Sequence, residues 1–342
     1  MGISSALGTA ALLLLGQPVL VGHPLLPGHP DSLLPETAPV PLQEWAVPRT
    51  AGAVETRPTG VAVDSAGSVY VVEMGTHRIE KYAGNGRPLA RWGAPPSHPD
   101  ALRSPFAVAV GPDDSVYVTE VGRDGVRRFS PRGEELNRWG GKGTEPGRFF
   151  GPFGIAVDSG GNVYVVDGGN RRIQKFSAEG TFLLEWGGPG DGPGEFQSPA
   201  GIAVEGTDRV YVTDPGAGRV QVFTGRGDLL AAWDMPHPGG GFFWPYGIGV
   251  DRAGNVYVSD PFAQDVIKFA RNGTVLSRWV RAAAADATLP RLELRDPETP
   301  SRPSPAPSTR APWFSCPVSI AIGTPDAYIL DPGRSAVVRF RP

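Results

Sequence analysis

A sequence pattern that recurs about every 47 residues constrains the fold of this chain more than any other feature. Each copy opens on a proline; the first four opening prolines lie 47 residues apart, and steps of 46 and 72 follow. These prolines are Pro58, Pro105, Pro152, Pro199, Pro245 and Pro317. A repeat of this length predicts one small unit of secondary structure per copy, which buries its faces against the neighbouring copies.

The third copy, residues 152–187, shows what each unit contains. It holds four short runs rich in β-branched and aromatic residues, and Gly, Asn, Asp or Ser residues close each run. Short runs of this composition between such turns predict an antiparallel meander of four strands. A four-stranded unit that repeats at this period is typical of the blades of a β-propeller. A solenoid fits less well, because the sequence shows no capping repeats.

Tryptophans indicate the number of blades. In five copies the fourth strand ends on a tryptophan, whereas the sixth copy stops at residues 340–342, one strand short. The five are Trp92, Trp139, Trp186, Trp233 and Trp279. We predict the missing strand at residues 42–45, because Trp45 precedes Trp92 by the same 47 residues and pairing there would remove the open edge of the last blade. The expected fold is therefore all-β, a six-bladed β-propeller of four-stranded antiparallel blades closed by an N-terminal strand, over residues 40–342.

Residues 152–176 carry the clearest motif of the chain. They read P-F-G-I-A-V-D-S-G-G-N-V-Y-V-V-D-G-G-N-R-R-I-Q-K-F. This stretch resembles the NHL repeat, and related copies cover most of the sequence. The resemblance implies a six-bladed β-propeller. It leaves the function open, because NHL-like propellers include RNA-binding repressors, extracellular sensor domains and a peptide-amidating lyase, and a shared fold does not determine function.

Charge and cysteine content exclude some classes of protein. The formal net charge of −3 at pH 7 argues against a generally basic nucleic-acid-binding protein. The single cysteine, Cys316, excludes a disulfide within the chain. The chain has 47 Gly and 37 Pro residues, and most of them lie at the repeated turns, which favours a turn-rich fold over disorder.

Two stretches do not follow the repeat. Residues 1–39 form a leader, in which residues 6–22 are uncharged and mostly apolar, as in a signal-peptide core, and a Pro-rich linker follows. We therefore predict a secreted or periplasmic protein, with a cytoplasmic one as the alternative, and membrane contact only through this leader. Residues 281–312 form an insert rich in Ala, Pro and Ser, which we expect to be a mobile loop.

The two ends of the predicted propeller differ in composition. The turns between strands one and two, and between strands three and four, are short, Gly-rich and similar in every copy; we call their end the uniform face. The loops between strands two and three and the connections between blades form the opposite end, the variable face. Its loops carry aromatic and arginine residues, the usual composition of a binding surface. The candidate binding residues are Arg78, Phe106, Phe150, Phe153, Arg171, Arg172, Trp244, Tyr246 and Phe262.

An acidic residue follows the second strand of every copy. These residues are Glu73, Glu120, Asp167, Asp214, Asp260 and Asp331. We predict that each holds its own turn, and that the acid pairs with the arginine five residues later where there is one, in Glu73/Arg78, Asp167/Arg172 and Asp214/Arg219. A shared cation is not expected, because the six lie on different blades. The strand-four tryptophans are expected to pack between blades.

The residue after each opening proline should surround the mouth of the axial channel. These residues are Thr59, Phe106, Phe153, Ala200, Tyr246 and Val318. Phe106, Phe153 and Tyr246 would then form either an apolar rim for a small-molecule ligand or a plug that closes the channel. The sequence leaves both interpretations open.

Function is the least constrained property. No catalytic motif occurs in a usable context, and we assign no catalytic residue, no cofactor and no metal. The resemblance to the amidating lyase implies a metal-dependent lyase or hydrolase as an alternative, whose site needs several histidines at the channel; His77, His98 and His237 lie in variable-face loops but at no repeated position. The resemblance to the NHL repressors implies single-stranded RNA binding, against which the net charge argues. The main prediction is a module or scaffold that binds a protein or peptide through its variable face.

Overall fold

The computed structural model describes residues 41–47, 57–93, 98, 100–235, 244–279 and 314–342. The predicted leader, residues 1–39, and the predicted insert, residues 281–312, lie outside these ranges. In the part of the chain that is described, no helix is long and apolar enough to cross a membrane.

The described residues form six antiparallel sheets of four strands, with strands numbered in chain order. Blade one comprises β2 (Pro58–Val63), β3 (Val69–Glu73), β4 (Arg78–Tyr82) and β5 (Pro88–Trp92). Blade two comprises β6 (Pro105–Val110), β7 (Val116–Glu120), β8 (Gly125–Phe129) and β9 (Glu135–Gly140). Blade three comprises β10 (Pro152–Val157), β11 (Val163–Asp167), β12 (Arg172–Phe176) and β13 (Phe182–Gly187).

The remaining blades repeat this arrangement. Blade four comprises β14 (Ile202–Glu205), β15 (Arg209–Asp214), β16 (Arg219–Thr224) and β17 (Leu229–Asp234), with a short 3-10 helix at Pro215–Ala217. Blade five comprises β18 (Ile248–Val250), β19 (Val256–Asp260), β20 (Asp265–Phe269) and β21 (Val275–Trp279). Blade six comprises β22 (Ser319–Ile322), β23 (Ala327–Asp331), β24 (Ala336–Phe340) and, from the start of the chain, β1 (Gln43–Ala46).

The blades form a ring. The innermost strand of each blade contacts the innermost strand of the next, and β22 of blade six contacts β2 of blade one. In blade six β1 pairs antiparallel with β24, with Gln43 opposite Arg339 and Ala46 opposite Ala336. The predicted six-bladed β-propeller of four-stranded antiparallel blades is confirmed.

Burial decreases from the axis of the ring to its rim. Every residue of the second strands β3, β7 and β11 is buried, which suits their Val-Tyr-Val sequences because both faces of these strands pack against other blades. In the fourth strands β9 and β13, half-buried and exposed residues alternate over most of the strand. Among the described residues, six hydrophobic clusters form the core, and each joins one blade to the next around the ring.

The strand-four tryptophans pack against the following blade, as the sequence predicts. The Trp139 ring covers Gly180, which has a φ of +81° and lies in the turn between strands three and four of blade three. A Cβ atom on Gly180 would come within 2.5 Å of the Trp139 ring. Trp45 of β1 covers Gly86 of blade one in the same way. Only glycine suits such a turn, because it accepts the left-handed backbone and leaves room for the indole.

Candidate binding face

Polar groups at the base of the uniform face bind one another. In blade three the Asp158 carboxylate accepts hydrogen bonds from the amide and the side chain of Asn162, both at 2.8 Å, and from the Tyr164 hydroxyl at 3.1 Å. The Lys175 ammonium lies 4.9 Å from the centre of the Tyr164 ring. The tyrosine–carboxylate bond recurs in blade one through Asp64 and in blade five through Asp251. This repeated network ties the turns of the uniform face to their own strands.

At the base of the variable face, Asp167 organises the loops of blade three. Its carboxylate accepts the Phe150 amide at 2.8 Å, Arg172 Nε at 2.8 Å, Asn170 Nδ2 at 2.9 Å and Gln174 Nε2 at 3.0 Å. Asp167 and Gln174 are fully buried. The predicted Asp167/Arg172 pair is confirmed, and Asp214 pairs with Arg219 at 3.8 Å.

Arg172 is fully engaged within blade three. Besides Asp167, its guanidinium donates to the carbonyl oxygens of Glu145 and Arg148, both at 3.0 Å, and it pairs with the Glu185 carboxylate at 2.9 Å. These bonds hold the loop between blades two and three against β12. Arg172 therefore positions this loop, because its donors are used inside the fold.

The predicted Glu73/Arg78 pair is wrong. The two residues are opposite in the register of β3 and β4, but no ion pair joins them and neither Glu73 oxygen receives a well-formed hydrogen bond. Where blade three has the amide of Gln174, blade one has the carboxylate of Glu80, which pairs with Arg91 at 2.5 Å. Burial, together with the charge of Glu80, raises the pKa of Glu73 to about 8, although the Arg57 amide opposes this shift.

The axial channel is closed near its mouth by aromatic rings. Five of the six residues predicted there line the cavity: Thr59, Phe106, Ala200, Tyr246 and Val318. The Phe106 ring centre lies 5.1 Å from that of Phe153 and 6.4 Å from that of Tyr246. Apolar side chains from all six blades line the space below, and its volume is about 70 Å³. Ligand sites usually measure about 300 Å³ or more, so the arrangement favours the plug over the ligand rim.

Tyr246, His77 and His98 have different surroundings on this face. Burial raises the pKa of the Tyr246 phenol, and Cys316 lies close enough to add to this effect. His77 accepts the Ser104 amide at 3.1 Å through Nδ1, and burial, assisted by Arg103, lowers its pKa. His98 is exposed and accepts the Asp100 amide at 3.2 Å.

The two histidines that the structure describes, His77 and His98, do not meet at the channel. His77 and His98 are absent from the lining of the axial cavity, and His237 lies outside the described residues. Among the residues that the structure describes, no three His, Cys, Asp or Glu side chains converge as metal ligands would.

Phenylalanines of two connecting loops belong to the core, which the sequence analysis missed. Phe149 and Phe196 are fully buried and make isolated parallel bridges to Lys142 and Pro189. The available signal was the 47-residue spacing between these two phenylalanines, each of which follows a Gly-x sequence in its loop. Burial of Phe149 turns the rest of its loop outward and places Lys142, Arg148 and Phe150 at the surface.

We call Lys142, Arg148, Phe150 and Arg171 the blade-three patch. The Lys142 ammonium lies 5.2 Å from the centre of the half-buried Phe150 ring, and Arg148 donates to the Gly140 carbonyl at 2.6 Å. Arg171 is exposed and has a φ of +56°. No hydrogen bond or ion pair to the described residues engages the Arg171 guanidinium. The sequence analysis identified Phe150 and Arg171 as candidates and missed Lys142.

A second surface lies on blade five, where Trp244 and Phe262 form the blade-five aromatic pair. Their ring centres are 6.0 Å apart in an edge-to-face arrangement, and Phe262 is 55% exposed. The Asp260 carboxylate holds both residues in place by accepting the Trp244 and Phe262 amides, each at 2.8 Å. Within the described ranges, Phe262 is the only aromatic residue among the large exposed hydrophobic side chains.

A further cavity lies on the outer wall. It measures about 620 Å³, opens between blades one and two, and is lined by Trp92, Arg127, Glu135, Leu136 and Arg138 among others. Its charged groups bind one another: Glu135 pairs with Arg127, and with Arg138 at 2.5 Å. The repeat pattern did not predict this cavity, because the cavity depends on the gap between two neighbouring blades at the outside of the ring.

Comparison with known families agrees with this architecture. The NHL repeat matches three segments of the chain, residues 56–82, 151–176 and 196–223. The protein is thus a six-bladed β-propeller in which three segments match the NHL repeat. One of the three matches includes the motif of residues 152–176.

Several solved structures share the fold at low sequence identity. Virginiamycin B lyase from Staphylococcus aureus is 17% identical, with 87% of this chain and 84% of that chain covered and a TM-score of 0.56. A gluconolactonase from Xanthomonas campestris is 15% identical, with coverages of 84% and 86% and a TM-score of 0.57. A chain of a nidogen/laminin complex is 18% identical, with coverages of 65% and 80% and a TM-score of 0.51. No curated protein sequence matches this chain significantly. Such identities show a common fold and no more.

Proposed function

We propose that this propeller is a binding or scaffold module that takes a protein or peptide partner on its variable face. The observation that carries the proposal is the blade-five aromatic pair, in which Phe262 is 55% exposed and Trp244 packs beside it. Aromatic side chains together with arginine contribute much of the binding free energy of protein interfaces. The blade-three patch supplies such cations on the same face.

The shape of the variable face supports an extended partner over a small molecule. Phe106, Phe153 and Tyr246 close the axial channel, and the cavity below them is about 70 Å³. Apart from Tyr246, the residues that line this cavity carry no ionisable side chain. A partner would therefore rest across the loops around the mouth. A nidogen/laminin complex contains a chain of similar fold, which agrees with the use of such propellers in protein complexes.

The test is a pair of matched variants of the full chain. One replaces Phe150, Trp244 and Phe262 by Ala. The control replaces Arg132, Arg226 and Arg252 by Ala, which are exposed residues in turns of the uniform face. Partners captured and crosslinked by the wild-type protein in an extract of the source organism are identified, purified and titrated against all three proteins.

We expect the aromatic variant to raise Kd by about 30-fold or more, because several large side chains leave the interface together. The control should leave Kd unchanged. Circular dichroism and melting curves establish that both variants are folded. A folded aromatic variant that binds the purified partner with wild-type Kd would contradict the proposal.

A further inference from the structure

We propose that the partner presents an acidic peptide segment, and that the blade-three patch binds its carboxylates while Phe150 packs against a neighbouring apolar side chain. This inference rests on the proposed function and specifies the chemistry of the partner. It follows from three features of blade three: the cations lack anionic partners, the nearby carboxylates are engaged elsewhere, and the loops that carry the cations are held in place.

The cations of the blade-three patch form no ion pairs. No carboxylate of the described residues lies within ion-pairing distance of Lys142, Arg148 or Arg171, although Arg128, Lys81 and Arg339 at the base of the uniform face each pair with an aspartate. Exposed arginines without ion pairs also occur on uniform-face turns, at Arg132, Arg226 and Arg252. Those three lie singly on blades two, four and five. The blade-three patch instead gathers its cations around one aromatic ring.

The carboxylates near the patch are used inside the fold. Asp167 is fully buried among four donors, and Glu185 pairs with Arg172. Asp124 accepts the Gly151 amide at 2.8 Å, and Glu145 accepts the Thr144 amide of its own loop at 3.1 Å. Glu145 is exposed, but the patch carries three cations, so the charge that it presents to a partner is positive. A partner of opposite charge would complete it.

The turn that carries Arg171 is fixed on the aromatic residues below it. A Cβ atom on Gly169 would come within 2.4 Å of the Phe150 ring, and one on Gly168 within 2.3 Å of the Phe153 ring. Asn170 binds the turn to the Gly143 carbonyl at 2.9 Å. The turn is therefore seated on these two rings, and its position relative to Lys142 is set by the same loop. Because the backbone of the turn is held in this way, only the side chains of the cations have to be ordered when an anion binds.

Carboxylates fit the surroundings of the patch better than a nucleic-acid backbone does. The adjoining loop of blade four exposes Asp191 and Glu195, and Asp234 is exposed beyond them. A nucleic-acid strand that extended from blade three toward blade four would be repelled by these acids. A short acidic peptide segment would end before it reached them. The net charge of −3 for the whole chain agrees with a local cationic site instead of a continuous one.

The test uses a phage-displayed library of random peptides selected on the immobilised full-length protein, followed by fluorescence anisotropy with the synthetic peptides that are enriched. Three proteins are compared: the wild type, the patch variant with Lys142, Arg148 and Arg171 each changed to Glu, and a control with Arg132, Arg226 and Arg252 each changed to Glu. The two variants change the net charge equally. Melting curves establish that each is folded. A fluorescent single-stranded oligouridine is titrated in parallel.

The inference is supported if the selected peptides are enriched in Asp and Glu beside an aromatic or aliphatic residue. Their Kd should be more than tenfold higher for the patch variant than for the wild type, and unchanged for the control. The Kd for the wild type should also rise with salt concentration. If the selected peptides lack acidic residues, or if acidic peptides bind the patch variant equally well, the inference is overturned while the proposed function stands. If no peptide binds the wild type, both fail for peptide partners. Oligouridine binding that depends on the patch would assign the patch to nucleic acid and overturn the inference.

Discussion

Asp167 of blade three and Glu73 of blade one end the same strand of the repeat, yet their surroundings are opposite. Asp167 receives four hydrogen bonds from Phe150, Asn170, Arg172 and Gln174. Glu73 is just as deeply buried, but neither of its oxygens receives a well-formed hydrogen bond. An ionised acidic residue at this position therefore stabilises the folded state only when the loop and the next strand supply hydrogen-bond donors to its carboxylate. Buried charges without them favour the unfolded chain.

Blades one and three also differ in which part of the chain supplies the tryptophan that covers their outer turn. Blade three is covered by Trp139 of blade two, which precedes it in the chain. Blade one is covered by Trp45 of β1, which pairs with the last strand, β24. The rim of blade one therefore depends on a contact between distant parts of the chain, and that of blade three on its immediate neighbour.

The largest effect is expected from removing β1. Deletion of residues 1–46 should lower the free energy of unfolding by about 5 kcal/mol, because the Trp45 packing and a complete edge of strand pairing are lost. Deletion of residues 1–36 should change it little, because the repeat begins after them. The measurement is urea denaturation followed by tryptophan fluorescence. Equal stability of the two truncated proteins would contradict a stabilising role for β1.

A smaller loss of stability is expected when Asp167 or Glu73 is replaced, and its size should differ between the two. Asp167→Ala should cost about 3–5 kcal/mol, since it leaves the Arg172 and Gln174 donors and the Phe150 amide without their acceptor. Glu73→Ala should cost less than about 1 kcal/mol, because the lost packing is offset by relief of a buried carboxylate. Chemical denaturation of both variants near neutral pH provides the comparison. Equal losses would show that Glu73 has donors after all.

The smallest effect is a pH dependence confined to blade one. Burial raises the pKa of Glu73 from 4.5 to about 8, so the folded state keeps a proton that the unfolded state releases. Its contribution to stability is therefore greatest below pH 4.5 and is lost as the pH rises through about 8. Relative to wild type, Glu73→Gln should become more stabilising by about 3 kcal/mol between pH 5 and pH 8.

The control for this pH dependence is Glu134→Gln, which changes an exposed glutamate in a turn of the uniform face. Its effect on the free energy of unfolding should not vary over the same range. If the Glu73→Gln curve runs parallel to the wild-type curve from pH 5 to pH 8, Glu73 is ionised in the folded protein and the argument from burial is incorrect.

The sequence alone was sufficient for the architecture, down to individual contacts. The spacing of the opening prolines predicts the number of blades, and the spacing of Trp45 and Trp92 predicts which residues form β1, the fourth strand of blade six. The same period predicts that strand-four tryptophans meet the next blade, as Trp139 does over Gly180. Each of these features is repeated along the chain, and repetition makes a position recognisable even when its partner is distant in sequence.

Only the tertiary structure decided features that differ between blades. The sequence suggested that Glu73 pairs with Arg78 as Asp167 pairs with Arg172, but the outcome depended on whether the next strand supplied Gln174 or Glu80. The sequence likewise placed Phe106 and Tyr246 around the channel mouth but left open a ligand rim and a plug, and only the structure shows that their rings meet over the axial channel. The physical reason is common to these cases. A repeat in the sequence predicts the path of the backbone. The contacts of a side chain depend instead on the groups that other strands and loops bring next to it in three dimensions.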